Sequence, residues 1–267
     1  MFRTYPFLLL LLFIPSVHAA DYDAIYKAYK NGDYATALTG FTELAAENNM
    51  KAEFYLGTMY REGKGVEQDY QKSLAWYLKA AEQNEPKAQH NVALFYHNGL
   101  AVERDFKTAI EWYTKAANQN YIPSITNLAM LYFRGQGVNK DIKTAIKWWT
   151  KAAELGSKGA QHNLGLMYFL GQGVKQDYAA ALKWYKKAAE QGSKEAQNSL
   201  AVMYFEGDGV EKDLVEAYAW TRLAERAGYD QAKINVGIIE SNLNEEQLQR
   251  AKEKAEEYMN KYPIEKE

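Results

Sequence analysis

A serine nucleophile of the kind that opens a β-lactam ring needs a lysine three residues on, so that nucleophile and base stand one helical turn apart. No serine in this chain has one, and neither Ser-Asp-Asn nor Lys-Thr-Gly occurs. Thr144 does precede Lys147 at that spacing, but it lies early in a helix with a charged outer face, and a solvated surface accounts for it. Beyond the first twenty residues the histidines are His90, His97 and His162. His90 and His97 stand seven residues apart on one helix, about 10 Å along its axis, too far to share an ion. No His-Glu-x-x-His pattern occurs. Gly-x-Gly recurs in loops, yet no Gly-Lys-Ser/Thr follows to cradle a phosphate. Cysteine is absent, which removes thiol nucleophiles, disulfides and thiolate ligands. No catalytic residue, metal ligand or cofactor is expected.

Composition fits a chain with a packed core. Apolar residues make up 47% of 267, enough for a continuous core, and aromatic residues reach 14%, mostly through 21 tyrosines. The 32 Lys and Arg nearly balance 34 Asp and Glu, for a net charge of -2. Nucleic-acid binders carry a basic surplus, so that partner is not expected.

The first residues form a unit of their own. Arg3 supplies a positive start, Phe7 to Val17 is apolar apart from Pro15 and Ser16, and Val17-His18-Ala19 places small residues where a signal peptidase reads them. The run is shorter than the roughly 20 residues a membrane span needs. Residues 1–19 are therefore expected to be a cleaved secretory signal, leaving a protein of the bacterial periplasm or exterior with no stable membrane insertion. No Cys follows to carry a lipid.

What positions the side chains is a repeat of 36 residues. Tyr60 recurs as Tyr96, Tyr132, Tyr168 and Tyr204, and Gly63 as Gly99, Gly135, Gly171 and Gly207. Asp69 recurs as Asp105, Asp141, Asp177 and Asp213, and Trp76 as Trp112, Trp148, Trp184 and Trp220. In the first copy Ala52, Leu56, Met59 and Tyr60 share one face of a helix A over about 51–62. Gly63 ends that helix in a left-handed turn, Val66 plugs the loop, and Asp69 caps a helix B running to about Gln83. The tryptophan at each station is expected to be buried. Two short helices cannot cover their own apolar faces, so the copies must stack. This divides the chain into an N-terminal unit (20–50), five repeats (51–86, 87–122, 123–158, 159–194, 195–230) and a C-terminal half repeat with a capping helix (231–267).

The run Leu164-Gly165-Leu166-Met167-Tyr168-Phe169-Leu170-Gly171-Gln172-Gly173-Val174-Lys175-Gln176-Asp177-Tyr178 and its continuation Trp184-Tyr185-Lys186-Lys187-Ala188-Ala189-Glu190-Gln191-Gly192 resemble the Sel-one-like repeat family. This is a branch of the tetratricopeptide solenoids. Asn31-Gly32 resembles the shorter tetratricopeptide connection. The resemblance implies an all-α fold, a right-handed superhelical solenoid of antiparallel helix pairs, and adaptor or scaffold work in bacterial envelopes. Some secreted relatives are Cys-rich and described as β-lactamase-like, but this chain lacks their cysteines. The second copy departs mildly, with Ala101 for the loop's second glycine.

A second stripe on helix A, at i, i+4 and i+7, lies opposite the core face and varies between copies. It reads Phe54, Thr58 and Arg61, then His90, Leu94 and His97, then Thr126, Met130 and Phe133, then His162, Leu166 and Phe169, then Asn198, Val202 and Phe205. By resemblance this stripe faces the concave groove, and it is the candidate surface for a protein or peptide partner. Packing between repeats is the competing account, above all for the phenylalanines. Beside it runs an amide, Asn91, Asn127 and Asn163, that could bond a peptide backbone or a helix end. The expected function is an exported, monomeric, non-enzymatic interaction scaffold: an envelope regulator, or a toxin-neutralising or host-interaction factor. A cell-wall enzyme of the β-lactamase or penicillin-binding type is the alternative.

Overall fold

A computed structural model describes residues 22–262. The expected secretory signal lies outside the described residues. Among those described there are fourteen helices and no strand, and no helix is long and apolar enough to cross a membrane. They fall into two compact units that divide between Arg104 and Asp105.

The first unit holds α1 (Tyr22–Lys30), α2 (Tyr34–Ala46), α3 (Met50–Glu62), α4 (Tyr70–Glu82) and α5 (Pro86–Asn98). In the second, α6 (Phe106–Asn118), α8 (Ile142–Glu154), α10 (Tyr178–Glu190) and α12 (Leu214–Arg226) are B helices. They alternate with the A helices α7 (Ile122–Arg134), α9 (Lys158–Leu170), α11 (Lys194–Glu206) and α13 (Asp230–Glu240), and α14 (Glu245–Lys261) closes the chain. Within each unit every helix packs on its sequence neighbour, except that α14 lies on α12 rather than on α13.

Local chemistry sets the helix ends. Asp69, Asp105, Asp141, Asp177 and Asp213 each accept main-chain N–H bonds at the start of a B helix, satisfying donors that a helix cannot pair internally. The A helices α3, α5, α7, α9 and α11 end on a left-handed glycine, as at Gly135 with φ 70°. The loop's second glycine has an added reason. A Cβ on Gly137 would collide with the Cβ of Phe106, the first residue of the preceding B helix. Only a residue without a side chain lets that helix approach.

Burial corrects the expectation for the tryptophans. Trp76, Trp112, Trp148 and Trp184 are half-buried, and the residue that follows each one, Tyr77, Tyr113, Trp149 or Tyr185, is the buried member. A step of about 100° along the helix separates the two. Each half-buried indole instead carries the ammonium of the lysine three residues on, at 4.1 Å for Lys79, 3.7 Å for Lys115, 5.6 Å for Lys151 and 4.8 Å for Lys187. The charge lies over the negative ring face and the lysine stem covers apolar surface. Trp220 is buried because Tyr258 and Tyr262 at the end of the chain cover it, with ring centres 4.8 and 5.5 Å away.

Buried amides join one copy to the next. Gln89, Gln161 and Gln197 donate to the carbonyls of Ala81, Ala153 and Ala189 at 3.2, 3.0 and 3.1 Å. These carbonyls belong to the last turn of a B helix, where acceptors are otherwise unpaired. Glu53 holds the same station in the first copy, accepting from Gln83 at 2.7 Å, and burial raises its pKa against the pull of Lys79 and Gln83. The C-terminal helix opens on a capping box between Asn244 and Gln247 and buries Ala251 and Ala255.

Candidate functional site

The variable stripe behaves differently in the two units. In the first, it is drawn into hydrogen bonds. Thr58 is buried, with its hydroxyl 3.0 Å from that of Tyr77. Arg61 donates to Asn91 Oδ1 at 3.0 Å and pairs with Glu62. Phe54 lies half-buried, its ring centre 5.7 Å from that of Tyr77. His90, Leu94 and His97 are also half-buried. Burial, helped by the nearby Arg61 charge, pushes His90 down to about 4, so it is neutral at physiological pH.

In the second unit the stripe is mainly apolar, with Thr126, His162 and Asn198 as its polar members. Phe133 rests on Trp149 with ring centres 5.3 Å apart, and Met130 is half-buried beside it in sequence register. The His162 ring centre lies 5.5 Å from that of Tyr185 with the two planes tilted by 36°, and Ser199 Oγ lies 3.5 Å from its Nε2. Burial lowers the His162 pKa and raises that of Tyr185 to about 12. Leu166, Phe169 and Val202 line one shallow cavity of about 180 Å³. Val202 and Phe205 line a second, of about 190 Å³, with Thr221 and Ile238. Leu166, Phe169 and Phe205 are half-buried, Thr221 is buried, and Val202 and Ile238 are exposed.

Two residues that extend this face were not in the candidate set. Ile234 and Ile238 on α13 are 59% and 48% exposed, and they stand one period beyond Asn198 and Val202. Carrying the 36-residue register one copy further would have found them. Thr221 was also missed. It occupies the station of Tyr77, Tyr113, Trp149 and Tyr185, and a buried threonine gives no sequence signal for a place in a cavity wall.

The recurring amide serves the fold and the surface together. Asn91 donates to its own helix at Lys87, Asn127 donates to the Tyr113 hydroxyl at 3.1 Å, and Asn235 donates to Asn198 Oδ1 at 2.8 Å. No group of three or more His, Cys, Asp or Glu among the described residues is placed to hold a metal ion.

Compared with known families, the chain matches the Sel1 repeat at residues 51–85, 86–121, 122–157, 159–193 and 194–229. The chain belongs to the Sel1 repeat family. Its fold class is accordingly all-α, a Sel1-type helical repeat with a period near 36 residues. A solved Sel1 repeat protein from Oxalobacter formigenes is 35% identical over 78% of this chain and 86% of its own, with a TM-score of 0.75. A protective antigen of uropathogenic Escherichia coli with an SLR fold is 30% identical over 92% of this chain, with a TM-score of 0.58. The chain spans only 62% of that antigen's length. A search of curated proteins finds no match. Sel1 repeats are in general non-catalytic scaffolds that bind protein partners.

Proposed function

We propose that this protein is an exported Sel1 scaffold that holds a protein or peptide on the A-helix face of its second unit. The observation that carries the reading is the run of solvent-reaching apolar side chains at one register position after another. Leu166, Val202 and Ile238 follow each other at 36-residue intervals, and Leu170 and Ile234 are 48% and 59% exposed beside them. Apolar surface gathered in this way marks interaction sites, and repeat arrays present such surfaces to extended partners.

A photoreactive residue at position 170, where Leu170 is exposed beside this run, tests the assignment in cells. A discrete adduct, lost when Val202, Ile234 and Ile238 are changed together to glutamine, is the expected result. These side chains are exposed, so the melting temperature should hardly move. Capture that survives the triple change places the partner elsewhere. Export rests on residues 1–19, and N-terminal sequencing of protein from the envelope or medium is expected to begin at Ala20.

A further inference from the structure

The outward face of the B helices changes its chemistry along the second unit. Stations four residues apart share a helix face. They place Lys143, Lys147 and Lys151 in line on α8, and Ala179, Lys183 and Lys187 in the same line on α10, with Lys186 beside it. Between Asp141 and Glu154, and again between Asp177 and Glu190, every charged side chain is a lysine. Lys143, Lys147, Lys183 and Lys186 are exposed, and among the described residues none of their ammonium groups has an ion pair. Lys151 and Lys187 lie over Trp148 and Trp184. The second repeat breaks the pattern, with Glu111 at the station of Lys147.

In the fifth repeat the same three stations hold Val215, Ala219 and Leu223, and there the face is covered by α14. Ala219 is buried in one core with Ala251 and Ala255, Val215 packs against it, and Tyr258 and Met259 pack beside buried Leu223. Where this face is apolar, the chain seats its own helix on it. In the third and fourth repeats lysine takes the apolar stations, so the matching surface is anionic. Lysine is depleted from protein interfaces, whose centres need desolvated apolar anchors, and here both indoles are already roofed by ammonium groups. A layer of lipid phosphates needs only charge and leaves each ammonium hydrated. We propose that the α8 and α10 face holds the protein against an anionic phospholipid surface, without insertion. The contact uses B-helix side chains alone, so it is independent of the partner reading above.

The probe is a phosphatidylcholine vesicle containing about one third phosphatidylglycerol, with pure phosphatidylcholine as the comparison. The protein from Ala20 onward is expected to co-sediment with the first and not with the second. Salt at about 0.5 M should release it, because screening then acts within a few ångströms. Each lysine near such a surface strengthens binding roughly fivefold, so changing Lys143, Lys147, Lys183 and Lys186 together to glutamine should weaken it about tenfold or more. Changing Lys27, Lys30, Lys233 and Lys252 to glutamine removes the same charge from other exposed positions and should leave binding nearly unchanged. All eight side chains are exposed, so both variants should fold, and their melting temperatures check this. Equal binding to the two vesicles, no binding at low salt, or equal losses in the two variants overturns the proposal. Should the vesicles fail while a photoreactive residue at position 147 captures an acidic protein in cells, the face docks a protein and the lipid assignment falls.

Discussion

The Tyr185 ring lies across Gly165, where a Cβ would meet Cδ1 at 2.5 Å and Cε1 at 2.6 Å. The A and B helices of the fourth repeat approach this closely only because position 165 has no side chain. Gly165→Ala should therefore destabilise the protein by about 1–3 kcal/mol, the usual cost of overpacking. Gly159, in the same helix with nothing within 4 Å of where a methyl group would sit, is the control. There alanine should be neutral or stabilise by about 0.5 kcal/mol. Urea melts of both variants check the pair, and equal losses would contradict the close packing.

Adjacent tryptophans should differ sharply. Trp149 is 2% exposed and Trp148 half-buried under Lys151. Trp149→Ala is expected to cost about 3–5 kcal/mol, and Trp148→Ala about half of that or less, in proportion to the area it covers. Denaturant midpoints ranking the two the other way round would reverse the assignment of core and surface.

The aspartate caps should make the protein acid-sensitive. Bonds from the Thr144 hydroxyl and main-chain N–H groups lower the pKa of Asp141, and the same chemistry lowers that of Asp105. A carboxyl depressed on folding contributes stability above its unfolded pKa, near 3.8, and loses it as pH falls through the folded value. Changing both residues to asparagine keeps a good cap but removes the charge. The variant should match the parent protein less well at pH 7 than at pH 3, as read from melting temperatures at the two pH values.

His90 should give a second slope at higher pH. Its folded pKa, depressed to about 4 by burial and by Arg61, lies below the ordinary 6.5. Between those values the unfolded chain binds the proton and the folded one does not, so stability should rise with pH across that window and level off above it. His90→Gln should flatten this part of the profile. An imidazole that titrates near 6.5 by NMR would show that His90 is solvated instead.

Much of this was legible in the chain because it is local. The 36-residue register, the aspartate caps, the glycine stops and the C-terminal cap depend on residues within a turn of each other, and local hydrogen bonding decides them wherever the helix goes. The stripe from Phe54 to Phe205 was legible too, since positions four and seven apart must share a face. Which of two neighbouring aromatic residues is buried was not. Trp148 and Trp149 differ by one step around the helix, and only the packing of the neighbouring helices chooses between them. The same holds for α14, which was expected as a capping helix but whose seat on α12 was decided by Trp220, Tyr258 and Tyr262 meeting there. The cavity above Thr221 belongs wholly to the tertiary structure, because a void has no residue of its own and exists only once the surrounding side chains have been set in place.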